Sequence, residues 1–410
     1  MTRANPRPRA PVPAGGRRLP FEIAPAASVV GLVIIAAVSF ALLGGSLPSV
    51  GGNGGNGGPG GPVRTPTPSN VVVVPDDPRA KVPGQILYIK DGNLWLQSGT
   101  TATQVTSGGK VSMPTWSADG QWIYYIKTAN KDGRWPSGGS IHIYNLTVPS
   151  LVRQKADGSG QPEVLLTGNV TKGSNIWSYF IRQPSISPDG TKAAIITDGP
   201  DPTRSDIVLK IVDLASGTIT NPNLSEALSL GHQDPAWSPD GTQILYTRNN
   251  REGPRGTPAI YRYNLATGKS TALTGPGYMS PAWSRDGRYV VATKTSTFGT
   301  DVVILDAKNG AELLRVTKDE SSFNGVWSPA GDAVAFFRVQ NGVVDLYLVP
   351  LQGAPGQWTA GDPLALTVSA GLAASSRPAW FIPADQLPPL PTDTPIPAPT
   401  VVPASAAPAS

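Results

Sequence analysis

The 410-residue chain has no cysteine and only two histidines, His142 and His232. The first absence removes disulfides, thiol nucleophiles, cysteine-ligated zinc and a lipid-bearing N-terminal cysteine together. The second leaves histidine-based metal or triad chemistry with almost no material. Charge is scarce as well, at 15% Asp, Glu, Lys and Arg. The net charge of +5 looks basic until it is located. Arg3, Arg7, Arg9, Arg17 and Arg18 against Glu22 give +4 within the first 22 residues, which leaves about +1 for the remainder. A nucleic-acid groove needs Lys and Arg clustered on the folded domain, so no nucleic acid is expected as a partner. There is no G-x-S-x-G elbow, no H-E-x-x-H and no P-loop. No cofactor is expected, and metal binding is left open.

One long apolar run is present. Residues 23–43 pass 21 positions without a charge, and at about 1.5 Å per residue such a helix spans the roughly 30 Å hydrocarbon core. The run is longer than the roughly 7–15 residues of a cleaved signal's apolar region. The expectation is a single-pass anchor: a basic cytoplasmic segment at 1–22, a transmembrane helix at 23–47, and everything beyond it extracytoplasmic by the positive-inside rule. Residues 48–83 are Gly- and Pro-rich with little apolar material and read as a linker. The Pro/Ala/Thr-rich tail at 383–410 reads as extended and disordered.

Between linker and tail a phrase recurs. It reads P-T-W-S-A-D-G at 114–120, P-S-I-S-P-D-G at 184–190, P-A-W-S-P-D-G at 235–241 and P-A-W-S-R-D-G at 281–287. Looser copies follow as G-V-W-S-P-A-G at 325–331 and P-A-W-F at 378–381. The anchors Trp116, Ile186, Trp237, Trp283, Trp327 and Trp380 are spaced 70, 51, 46, 44 and 53 residues apart. A period near 45 with β-type sequence in each unit predicts an all-β propeller of one four-stranded blade per repeat. The Asp-Gly pair supplies a tight hairpin between strands A and B, and alternation of apolar with polar residues marks the strands. The last repeat offers only a strand A, at Trp380. The three strands it lacks sit at the start of the domain, near 85–90, 93–97 and 101–106. Pairing the last strand with the first three closes a six-bladed ring over 84–382 and leaves no long open edge. The Trp and Asp-Gly residues are blade core and turn, with no functional role assigned to them.

This pattern resembles the TolB-type propeller, a WD40-like family whose repeat is written around W-S-P-D-G and a terminal L-T. The resemblance covers about residues 84–382. It departs at Ile186 in place of Trp, at Ala330 in place of Asp, and at the truncated Trp380-Phe381. Related propellers precede the catalytic domain of prolyl-oligopeptidase-type peptidases, but neither a hydrolase domain nor the separate amino-terminal domain of TolB is recognisable. The resemblance implies a scaffold that binds a protein or small ligand in a bacterial envelope, and it transfers no individual site residue.

Function in repeat proteins concentrates where a repeat is interrupted. The first full repeat is about 25 residues longer than the 44- and 46-residue repeats. The excess falls in a B–C loop at 130–149 and a D–A loop at 168–183, both expected on one face of the ring. They carry Trp135, His142, Tyr144, Trp177, Tyr179 and Phe180; other loops on that face add Arg182, Arg204, Arg251, Arg255 and His232. Surface aromatics suit a sugar ring or a protein hot spot, while residues 141–146 forming an extra strand, or 177–180 packing over the blade, is the plain alternative. Both chain ends should leave by the opposite, A–B face, so the elaborated face points away from the membrane. The reading is a monomeric, membrane-anchored propeller that binds an extracytoplasmic protein or a small ligand, carbohydrate or peptide. A propeller enzyme, a lyase or a glycoside or peptide hydrolase, is the alternative. Its carboxylate candidates are Asp319 with Glu320 and Asp198 with Asp201, which are ordinary turn residues too.

Overall fold

The computed structural model describes residues 77–200, 207–222, 224, 231–249 and 257–390. The expected cytoplasmic segment, transmembrane helix and most of the linker and tail lie outside these residues. Among the described residues no helix is long and apolar enough to cross a membrane.

The recurring phrase builds its turn the same way in four blades. Ser117 Oγ donates to Asp119 Oδ1 at 2.5 Å and accepts from Trp122 N at 2.9 Å, while Asp119 Oδ1 accepts from Gln121 N at 3.0 Å. Ser187 with Asp189, Ser238 with Asp240 and Ser284 with Asp286 repeat the arrangement. The glycine that follows takes a φ near +70° in each, at 69° for Gly120 and 70° for Gly190, Gly241 and Gly287. A side chain there would be strained, which is why the motif ends in glycine. Blade six has Ala330 where the carboxylate should be. Its Ser328 Oγ donates instead to Asp332 Oδ1 at 2.7 Å, so the carboxylate has moved two residues along the turn. The terminal Leu-Thr or Val-Thr of a repeat also has a mechanical role. Thr106, Thr274, Thr317 and Thr367 each accept, through Oγ1, a backbone N–H of strand C at 2.9–3.0 Å.

Six sheets of four or more antiparallel strands result, with the innermost strands at Ala379–Phe381, Val111–Trp116, Arg182–Ile186, His232–Trp237, Tyr278–Trp283 and Ser322–Trp327. The molecule is a six-bladed, all-β propeller. Blade one is completed as expected: the last strand pairs with the first through Gln85↔Phe381, Ile86↔Trp380 and Leu87↔Ala379.

The core is divided among the joints between blades. Six clusters of buried apolar residues occur, one at each neighbouring pair. Strand Trp122–Ser137 shows why: Ile123 and Tyr125 face blade one, whereas Tyr124 and Ile126 face blade three. The second strand of every blade is covered on both sides, so it is a continuous apolar run and departs from the expected alternation. At about 1.5–3 kcal/mol for each fully buried large aliphatic or Phe side chain, these joints dominate the energetics. An exposed ion pair such as Arg153–Glu163 adds roughly 0–1 kcal/mol.

The described tail and linker residues are not free. A 3-10 turn at Pro78–Lys81 is capped by Asp77, which accepts from Arg79 N at 2.9 Å. After Ile382 a second turn at Ala384–Gln386 places Leu387 against the blade one–blade six core. Arg285, in the A–B turn of blade five, donates to the Pro388 carbonyl at 2.9 Å. Leu387 and Pro388 therefore contact the ring, contrary to the expectation of disorder from 383 onward.

Candidate functional site

The long repeat carries its excess as two hairpins rather than two loops. Strands Trp122–Ser137 and Ser140–Lys155, each of 16 residues, stay paired from Trp122↔Lys155 to Ser137↔Ser140. The second strands of the other blades have 6–8 residues, so this hairpin reaches about 30 Å further at roughly 3.4 Å per residue. The D–A insertion forms the hairpin Asn169–Lys172 with Asn175–Ser178, which joins the long hairpin through Arg134↔Ile176. The two insertions thus make one four-stranded projecting sheet.

Register decides which side chains share a face, because paired residues point the same way and neighbours in a strand point oppositely. Trp135 stands opposite His142, and Gly133 opposite Tyr144. Continuing the Arg134↔Ile176 register places Trp177 on that face too. The rings of Trp135 and Trp177 meet edge to face at 5.6 Å, and those of His142 and Tyr144 lie 6.3 Å apart. Trp135 is 37% exposed and Tyr144 43%. A Cβ on Gly133 would lie 2.3 Å from Leu146 Cδ1, so a side chain there would require Leu146 to turn aside. The reverse face presents Ile141 and Ile143, both exposed. His142 Nε2 lies 3.0 Å from the Ser137 carbonyl, which ties the tip of the hairpin. Trp177 Nε1 donates to Pro200 O at 3.2 Å and braces the sheet against blade three.

Of the sequence candidates, Trp135, His142, Tyr144 and Trp177 come together here, and Arg182 lies at the base with its guanidinium 4.2 Å over the Phe180 ring. Burial lowers the Arg182 pKa, with Asp198 opposing that shift. Two candidates are elsewhere. Tyr179 is buried in the joint between blades two and three, its hydroxyl donating to Thr167 O at 3.0 Å and its ring packed on Gly199. His232 is fully buried, accepts from Leu209 N through Nδ1 at 3.1 Å, and stacks edge-on to Tyr246 at 4.7 Å. Burial first, and then the charge of Arg248, lower its pKa to about 4. Both were expected on the surface; each is apolar enough to anchor a core once its polar atom finds a backbone partner. Arg204, Arg251 and Arg255 lie outside the described residues, as does Asp201. Asp198 accepts from Phe180 N, and Asp319 accepts from Ser321 N and Ser322 Oγ and pairs with Arg338. Among the described residues no three His, Asp or Glu side chains converge as a metal cage would require.

A second feature emerges at the centre of the ring. Five of the six innermost strands carry the same irregularity, a register shift around one left-handed residue. That residue lies three positions before the blade anchor: Met113, Gln183, Asp234, Ser280 and Asn324, with φ between 50° and 55°. Arg377 holds the equivalent place in blade one. Side chains at this position bind the next blade. Gln183 N donates to Met113 Sδ at 3.1 Å and Asp234 N donates to Gln183 Oε1 at 3.0 Å, while Met113 N donates to Oγ of Ser376, the neighbour of Arg377, at 3.1 Å. Asp234 also accepts from Gln183 Nε2 at 2.6 Å and Ser280 Oγ at 2.8 Å. This belt borders a central cavity of ≈ 350 Å³ lined by all six innermost strands.

The family model described as "Lipoprotein LpqB beta-propeller domain" matches residues 44–252, just over half of the chain, and the one described as "TolB beta propeller domain" matches residues 159–360. The chain belongs to the TolB-like β-propeller family. No curated protein matches the sequence. Among solved structures, this TolB-like propeller is similar to TolB from Acinetobacter baumannii, at 20% identity and a TM-score of 0.51, covering 72% of this chain and 66% of that one. It is also similar to a protein assigned as TolB from Agrobacterium tumefaciens, at 18% identity and a TM-score of 0.51, covering 74% of this chain and 95% of that one. Likeness at these identities speaks for the fold. The chain spans less than two thirds of the Acinetobacter protein.

The belt of the TolB-like ring was missed in the sequence, although a signal was there. The residue before each Pro-Ala-Trp phrase is Met, Gln, Asp, Ser, Asn or Arg, while its neighbours repeat. A position that varies inside a constant repeat is one whose side chain the fold does not specify.

Proposed function

We propose that this chain is a binding scaffold of the bacterial envelope, held by its N-terminal apolar segment with the propeller outside the membrane, which captures a protein or a small ligand, carbohydrate or peptide, on the projecting sheet of blade two. The observation that carries the reading is the Trp135–Trp177 contact, which unites two separate insertions into one aromatic face. Nothing in the ring needs that sheet: its strands extend beyond the blade, and Trp135, Ile141, Ile143 and Tyr144 remain exposed on it. Exposed aromatics rigidly mounted on strands bind sugar rings or protein hot spots at low entropic cost.

The geometry of the ends supports the orientation. Both the first strand at Gln85 and the last at Phe381 meet on the A–B side, and the hairpins grow from the other. A tether entering at residue 77 would leave the aromatic sheet facing outward. Protease added to intact cells should remove the propeller, and full protection would refute the outward placement. For the binding role, the chain and a variant with residues 131–146 replaced by a tight turn would be compared as baits in envelope extract. A partner held by the first and lost by the second supports the sheet as the site; a partner held equally by both rejects it.

A further inference from the structure

The central cavity has a different chemistry from the projecting sheet. Its charged lining residues are Arg285, Arg377 and Asp234, an excess of one positive charge. The walls below the belt are the anchors Trp237, Trp283, Trp327 and Trp380 together with prolines. Its volume of ≈ 350 Å³ falls in the range of about 300–1,000 Å³ typical of small-molecule sites.

Arg377 is the group that the protein leaves incomplete. Its Nη1 donates to the Pro281 carbonyl at 2.7 Å. Its Nη2 is buried and has no hydrogen-bond partner, because the nearest carboxylate oxygen, Asp234 Oδ1, is 4.0 Å away. Asp234 does not need it, since Gln183 and Ser280 already donate to its two oxygens. Burial lowers the Arg377 pKa and Asp234 opposes that shift, yet a guanidinium stays charged at any ordinary pH. Leaving one of its donors unmet is unfavourable. Two other buried polar atoms on this lining lack partners, Trp237 Nε1 and Trp327 Nε1. All three orphans are donors. The cavity carries spare positive charge, with the Arg377 side chain 22% exposed on its lining, and offers flat apolar walls.

We propose that the channel is a ligand site for a small carboxylate with a planar apolar body, its carboxylate pairing with the Arg377 guanidinium and its body lying against the indoles. The ligand enters from the A–B face, where Arg285 and the Pro388 carbonyl stand together. This site is independent of the projecting sheet and of any partner held there.

Sodium benzoate and benzamide, which share a ring and differ in charge, test it on the full-length chain. Four channel indoles report entry through tryptophan fluorescence. Benzoate should give a saturable change with half-saturation no higher than about 5 mM, and benzamide should be weaker by about tenfold or more. Arg377→Gln should raise the benzoate half-saturation by about tenfold, with Arg377→Lys recovering part of the loss. The proposal is overturned by equal half-saturation for the two probes on the unmodified chain, by Arg377→Gln binding benzoate normally, or by no saturable change up to about 50 mM, far weaker than a built site of this size requires. The comparison of the two probes on the unmodified chain holds even where the Arg377 variants fail to fold.

Discussion

Trp380 stands opposite Ile86 in the closing sheet, and its indole Nε1 donates to the Pro83 carbonyl at 3.0 Å. The residue that ends the ring is thus fixed to the strand that begins it and to the segment just before that strand. Three residue pairs form the closure, but its strength lies in the joint beneath, where Trp380 and Ile382 pack with Ile86, Tyr88 and Phe337. Trp380→Ala should cost about 3–5 kcal/mol, read as a lower midpoint in denaturant melts. An unchanged midpoint would mean that the closing strand contributes little.

His232 provides a pH signature. Its folded pKa of about 4 lies below the ordinary value of 6.5, so the unfolded chain takes up its proton first as pH falls. The stability tied to this group is complete above pH 6.5 and is lost progressively down to about pH 4. The total loss is roughly 3 kcal/mol. His232→Gln, which keeps an acceptor for Leu209 N, should flatten the fall in melting temperature between pH 6.5 and 4.5. Burial pushes the Asp189 and Asp240 carboxyls up, but hydrogen bonds from their serines and threonines outweigh it and both end below the usual range. Their own titration therefore falls beneath that window.

The displaced carboxylate of blade six can be tested as a swap. Asp332→Ala should destabilise by about 1 kcal/mol, because Ser328 Oγ loses its acceptor. Adding Ala330→Asp to that variant restores the arrangement of the other blades and should recover most of the loss. Thermal melts of the two variants beside the parent chain give the answer, and a failure of the second change to rescue would show that the turn of blade six is built differently.

The projecting sheet should be dispensable for folding. Replacing residues 131–146 with an Asn-Gly turn removes exposed side chains and leaves the joint around Tyr124, Ile126 and Leu151 intact. The melting temperature should shift by a few degrees at most, about what 1 kcal/mol produces in a domain of this size. A Tyr179→Ala variant provides the contrast, since that ring lies in the joint and should cost about 3–5 kcal/mol. Equal destabilisation by the two changes would show that the sheet is part of the ring's support.

How much of this was legible in the sequence depended on whether a residue's role repeats. The blade count, the turns and the closing strand could be read because Trp, Ser, Asp and Gly meet the same local demand each time. The insertions were visible as extra length, yet their shape was not. Pairing from Asn130↔Thr147 to Ser137↔Ser140 depends on cross-strand register, and the sequence there lacks strict alternation. Tyr179 and His232 were misplaced because a loop position says nothing about whether a ring turns inward. The belt from Met113 to Arg377 left only one variable position per repeat as its signal, because it is an agreement among six residues that no local rule connects.

The closing strand also sets an order of events. Blade one is begun by the first strands of the domain to be made and cannot be finished until Phe381 has been added. Until then the strand at Gln85–Lys90 has neither its inner neighbour nor the wall of blade six, and Ile86 and Tyr88 have nothing to cover them. The domain is the product of its whole length, and an interrupted synthesis leaves its oldest blade open to other chains.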